Sequence, residues 1–81
     1  MLDNIKSCNK AIGTKQTLRA VESGKAGIVY IARDADKKVV SKIIGECEKN
    51  SIEIVYVDSM KQLGKACGIE VGAAAACILK S

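Results

Sequence analysis

At 81 residues the chain is expected to be one domain with a modest core. Apolar residues make up 48% of it but aromatics only 2%, Tyr30 and Tyr56, so Ile, Val, Leu, Ala and Cys must build that core. The net charge of +4 favours an acidic partner such as nucleic acid, and no apolar run approaches the ~20 residues a membrane span needs.

Residues 2–9 are polar, with Leu2, Ile5 and Cys8 at three-residue spacing, which fits one or two helical turns. Residues 10–13 read as a short strand that stops at Gly13. Thr14 to Ser23 is the first strong helix. Thr14 suits its N-cap, Leu18 and Val21 form an inward stripe, and Gly24 suits the position just past its end. Gly24-Lys25-Ala26-Gly27 is a turn. Ile28-Val29-Tyr30-Ile31-Ala32 is a continuous apolar run, the pattern of a strand covered on both faces.

Arg33-Asp34-Ala35-Asp36 follows as a loop, and Asp36 caps a helix from about Lys37 to Lys49. Its expected inward stripe is Val39, Val40, Ile43, Ile44 and Cys47, and Asn50 is expected to close it in a left-handed conformation. Ile52 to Val57 is a third strand. Asp58-Ser59 caps the next helix, with Met60, Leu63, Ala66 and Cys67 inward, and Gly68 ends it. The segment Gly68-Ile69-Glu70-Val71-Gly72 is a glycine-bounded loop. Ala73 to Leu79 is rich enough in Ala to compete as a helix, but its place after two helix–strand units assigns it to the sheet. The alternation predicts an α/β fold, a three-layer α-β-α sandwich on a mostly parallel or mixed sheet of four strands.

The chemistry-bearing residues narrow the function. Cys8, Cys47, Cys67 and Cys77 form no C-x-x-C pair and there is no His, so a zinc site is disfavoured. The opening Met1-Leu2-Asp3-Asn4 has no signal-peptide character, so the cysteines are expected to be reduced, small buried hydrophobes in a cytoplasmic protein. A His-dependent triad, a G-x-S-x-G elbow, a phosphate loop and a dinucleotide fingerprint are all lacking. Asp34 and Asp36 read as a cap and a solvated turn rather than a catalytic pair. No enzyme activity, metal or cofactor is expected.

Two stretches remain. In Ala11-Ile12-Gly13-Thr14-Lys15-Gln16-Thr17-Leu18-Arg19, a strand turns into a helix whose start presents two cations and an amide. Helix N-termini favour negative groups, so a polyanion with readable edges, RNA, fits this stretch. On charge alone a solvated helix face explains it better. In Gly68-Ile69-Glu70-Val71-Gly72, two apolar residues flank a carboxylate. Such a loop can cover an exposed base while the carboxylate accepts from a base amino group or a ribose hydroxyl, or Ile69 and Val71 can simply plug the core. In this topology the two stretches are expected to be neighbours.

Gly13-Thr14-Lys15-Gln16-Thr17-Leu18-Arg19, together with Leu63-Gly64-Lys65-Ala66-Cys67-Gly68-Ile69-Glu70-Val71 and the Ala-rich strand, resembles the kink-turn-binding ribosomal protein family named for L7Ae and L30e. Within it the small bacterial YbxF-like branch is the most similar. The resemblance spans essentially the whole chain and implies the same sandwich fold. It also implies binding to kink-turns, sharply bent RNA elements with tandem sheared G·A pairs, in ribosomal RNA or a riboswitch.

By that resemblance, Gly13, Thr14, Lys15, Gln16 and Arg19 approach the G·A pairs, and Ile69, Glu70 and Val71 cover the other side of the kink. Positions Asp36 and Val40 match those near a flipped-out base, and Lys38 and Lys61 are candidates for phosphates. Archaeal members often carry Asn-Glu where this chain has Lys15-Gln16. Lysine can donate to guanine O6 or N7, and the Gln carbonyl can accept from a guanine amino group. Members also commonly carry a lysine where this chain has Met60. A monomer that captures the bent RNA conformer is the expectation, and a ribosome-associated protein-interaction module without direct RNA readout is the alternative.

Overall fold

The computed structural model describes residues 9–80. The expected helical turns at residues 2–9 therefore fall outside the described residues except for Asn9, whose carbonyl accepts from the Leu79 N–H at 2.9 Å. The elements are β1 (Lys10–Ile12), α1 (Thr14–Glu22), β2 (Ala26–Ala32), α2 (Lys37–Lys49), β3 (Glu53–Val57), α3 (Met60–Cys67) and β4 (Ala75–Leu79).

The strands form one mixed sheet in the order β1-β4-β2-β3. β2 and β3 are parallel, with Tyr30 opposite Val55, while β4 runs antiparallel to both β2 and β1. The C-terminal ends of β1, β2 and β3 and the N-terminal end of β4 therefore share one end of the sheet. α1 and α2 pack on each other over one face, and α3 packs on β2, β3 and β4 from the other, giving the three-layer sandwich. The alanines of β4, with Ala75 and Ala76 fully buried, let both layers approach closely.

The core is mainly aliphatic, as the composition requires: Val21, Val29, Ile31, Ile43 and Leu63 are fully buried, with Cys47 and Cys77 among them and Tyr30 the one buried aromatic. Burial pushes the Cys47 thiol up to about 11, with Cys77 and Glu46 adding to the rise. Burial also raises Cys67, against a smaller opposing pull from Lys10. These thiols stay protonated and act as small hydrophobes.

Several expected details change. Gly13, not Thr14, is the N-cap of α1, and no side chain caps that helix. The Gly13 N–H donates across the sheet to Ala75 O at 2.8 Å while its carbonyl accepts from Thr17 N–H at 2.9 Å, so the helix begins one residue earlier than the hydroxyl suggested. Thr17 and Ala20 join Val21 in the buried stripe and Leu18 is only half-buried, because α1 faces both β4 and α2. The Thr17 hydroxyl makes no full hydrogen bond. It sits against the Cys77 thiol and lowers that thiol's pKa against the larger rise from burial.

In α2 only Val40, Ile43 and Cys47 are buried, and Val39 is 42% exposed on the helix flank. Asn50 keeps φ −101 because its side chain and backbone both donate to Glu46 O, and Ser51 takes the left-handed turn at φ 56. β3 and β4 start at Glu53 and Ala75, shorter than the apolar runs, because Ile52 and Ala73-Ala74 serve as connections.

Candidate nucleic-acid interface

Each helix follows a strand's C-terminal end, so α1, α2 and α3 all begin at the same end of the sheet. None has an acidic residue in its first turn. The first turns instead carry Lys15, Lys37, Lys38 and Lys61, all exposed. Three positive dipole ends and four lysines thus share one edge of the molecule, which attracts anions. The carboxylates here are partly committed to backbone: Asp36 Oδ1 accepts from Lys38 N–H at 2.9 Å and Asp34 Oδ1 from Met60 N–H at 2.7 Å.

The Gly13 turn starts this edge. Gly13 has φ 101 and ψ 158, a region that essentially only glycine occupies, and the chain uses it to swing from β1 into α1. Lys15 and Gln16 are then exposed on the first turn. Arg19 lies one turn further on the same flank as Lys15, in the last turn of this nine-residue helix, where its charge also favours the negative dipole end. Thr14 is half-buried.

The second segment is the loop after α3. Gly68 closes that helix at φ 82, with its N–H on Lys65 O and the Ile69 N–H on Gly64 O. Ala73 N–H donates to Met60 O at 3.0 Å, so the loop folds back onto the start of its own helix. The Val71 carbonyl packs directly over Gly64, where any side chain would collide with it. Ile69 is half-buried and packs on the core, whereas Glu70 is exposed and Val71 is 71% exposed. The two open readings of this loop therefore divide: Ile69 is a plug, and Val71 is an apolar side chain held out over solvent.

The topology does bring the two stretches to the same end. Gly13 bonds Ala75 at the start of β4, directly after the loop, and Ala32 N–H bonds Ala74 O at 2.9 Å. Among the secondary candidates, Lys38 and Lys61 are exposed at this end and Asp36 is exposed as the α2 cap. Val40 belongs to the core at 5% exposure. Two contributors escaped sequence reasoning: Asp34, which ties the loop after β2 to α3, and Lys37. An acid in a polar loop carries no mark of a partner 26 residues away.

Residues 5–81 match the Ribosomal protein L7Ae/L30e/S12e/Gadd45 family. The chain belongs to this family. It is 55% identical over 67 residues to an RNA-binding protein of Caldanaerobacter subterraneus subsp. tengcongensis, covering 83% of this chain and 82% of that one. It is 49% identical over 69 residues to the RNA-binding protein YbxF of Geobacillus stearothermophilus, covering 85% and 84% respectively. Among solved structures, the Giardia lamblia 15.5kD RNA binding protein superposes with a TM-score of 0.89 at 31% identity, covering 99% of this chain and 71% of that one. The fold of this family is thus the scaffold on which Gly13–Arg19 and Gly68–Gly72 meet.

Proposed function

We propose that this protein is a non-enzymatic RNA-binding module that recognises and stabilises kink-turns, in ribosomal RNA or a riboswitch. The observation that carries the reading is the convergence of Lys15 and Gln16 at the start of α1, with Arg19 one turn further along the same flank, and the exposed Glu70 and Val71 at one lysine-rich end of the sheet. Family membership and relatives named as RNA-binding proteins support it.

In this reading Lys15 donates to guanine O6 or N7 of a sheared G·A pair, and the Gln16 carbonyl accepts from a guanine amino group. Arg19 reinforces the contact from the next turn. Gly13 and Thr14 bring the backbone close to the RNA, since nothing lies within 4 Å of the Gly13 α-carbon's open side. Ile69 supports the loop from beneath, Val71 covers an unstacked base, and Glu70 accepts from a base amino group or a 2′-hydroxyl. Lys38 and Lys61 neutralise phosphates, and Asp36 and Val40 border the site. Because these groups fit the bent RNA and not the extended one, binding shifts the RNA population towards the kink by its differential affinity.

A gel-shift titration on a kink-turn RNA and on the same RNA with its G·A pairs replaced by Watson–Crick pairs tests the reading. The wild type should prefer the kink-turn strongly. Lys15→Ala should weaken kink-turn binding about tenfold or more and narrow the preference, because it removes a base contact. The dependence of affinity on salt should also drop by about one counterion if Lys15 additionally approaches phosphate. Equal binding of both RNAs by the wild type would sink the kink-turn assignment.

A further inference from the structure

A second feature opens near the same end, along the flank where α2 meets the edge strand β3. It is a cleft of about 380 Å³. Ile31, Ala32, Ala35 and Val40 give it an apolar floor, and Ser41 and Ile44 of α2 face Tyr56 of β3 across it. None of Lys15, Gln16, Arg19, Ile69, Glu70 or Val71 lines it. Val40 and Lys37 are shared with the surface described above.

Tyr56 is unusual in this chain. It is one of two aromatic residues, and it is 47% exposed while Tyr30 is buried. The Arg33 guanidinium lies over its ring at 5.5 Å from the centroid. Arg33 also reaches Asp58 at 3.9 Å, but both side chains are well solvated, so that pair is weak and leaves the guanidinium available. Lys37 adds a second cation at the mouth, beside the positive start of α2.

We infer that this cleft is a nucleotide subsite: it takes one unpaired base of an RNA strand, with the phosphate at the Arg33–Lys37 mouth. Three features select this occupant. An apolar slot walled by an aromatic ring and a guanidinium is the surface on which unstacked bases lie in single-stranded RNA recognition. The two charged residues that line the cleft, Arg33 and Lys37, are both cations, which suits a phosphate and opposes a plain apolar peptide. The mouth opens beside α2's first turn, the turn that also carries Lys38 of the surface described above. The Ser41 hydroxyl, which otherwise donates only weakly to Lys38 O at 3.4 Å, can turn to a base edge. The assignment of an RNA strand rests on the RNA-binding reading above, but the slot's preference for a base does not require a kink-turn.

Two measurements on the full chain test it separately from that reading. In the first, adenosine 5′-monophosphate alone is titrated and followed by NMR. The amides of Ser41, Ile44 and Tyr56 should shift, and the shifts should vanish in Tyr56→Ala and shrink in Arg33→Gln. Tyr56→Leu, which keeps apolar bulk at the site, should also lose them. Shifts confined to Lys15 and Arg19, or shifts that persist in Tyr56→Ala, would overturn the subsite.

In the second, a kink-turn RNA carrying an adenosine tail on one stem or the other is compared with the blunt form. Tyr56→Ala should weaken binding of one tailed RNA about tenfold, the scale of one lost stacked base, and leave the blunt RNA unchanged. Equal binding of tailed and blunt RNA by the variant and the wild type overturns it. Failure of the wild type to bind blunt kink-turns strikes the earlier reading while leaving the nucleotide titration to judge the cleft. Concentration-dependent association that Tyr56→Ala abolishes, with no nucleotide shift, would make the cleft a protein-docking face and end the proposal.

Discussion

The two ends of the sheet are built on different principles. At the end opposite the candidate interface, the helix-to-strand reversals close on neighbours, while Leu79 N–H to Asn9 O and Lys80 N–H to Lys25 O extend the pairing of strands distant in sequence. Gly24 and Lys25 bond back to Val21 and Ala20, and Ser51 and Ile52 bond back to Glu48 and Cys47. At the interface end the hydrogen bonds join segments distant in sequence: Gly13 to Ala75, Ala32 to Ala74, Arg33 to Val57 and Met60 to the Asp34 carboxylate. One end combines local helix stops with bonds that continue the strand ladder. The other is a tertiary knot that holds α1's start and the 68–72 loop in fixed relation. A surface that reads a bent RNA needs such rigidity, because disorder there would be lost on binding at the expense of affinity.

That contrast can be broken most severely at Gly64. Gly64→Val drives a side chain into the Val71 carbonyl, so helix and loop must part. Urea unfolding should show a loss of about 3 kcal/mol, the upper range for overpacking, and the variant's remaining folded fraction should bind kink-turn RNA poorly. Gly13→Ala comes next. There is space for the methyl, so the cost is backbone strain alone, about 2 kcal/mol by the same measurement.

Asp34→Ala removes the clamp between the loop after β2 and α3. The loss should be about 1 kcal/mol, comparable to a missing helix cap, with faster amide hydrogen exchange at Met60 and along the start of α3. The smallest effect belongs to the other end. Ser51→Gly relieves a left-handed residue and should change stability by only about 0.5 kcal/mol, in the stabilising direction, and leave RNA affinity untouched. If Ser51→Gly altered RNA binding as much as Asp34→Ala did, the division between the two ends would be wrong.

The same division explains what could be read in advance. The ends of α1 and α3 were legible because glycines just past them take the positive φ that a helix stop requires, at Gly24 and Gly68. The caps Asp36 and Ser59 were legible because a short polar side chain before an apolar stripe has one use there. Thr14 misled for a related reason. A hydroxyl at a helix start is a cap signal, and only the Gly13–Ala75 bond across the sheet displaced it. Thr17 was missed because a burial stripe read from apolar residues cannot show a buried hydroxyl.

Hydropathy alternation, turn glycines and capping residues by themselves determined the order of elements and the α/β class, because those signals act within a few residues. The sequence likewise singled out Gly13–Arg19 and Gly68–Val71 as unusual, through charge and glycine spacing. The meeting of both stretches at one end was expected from the alternation, but only the tertiary structure decided that three helix starts and their lysines share that end, and that Ile69 packs on the core while Val71 stands exposed. Those outcomes depend on strand order and direction, and β4 inserted antiparallel between β1 and β2 is set by pairing across the sheet rather than by any local preference.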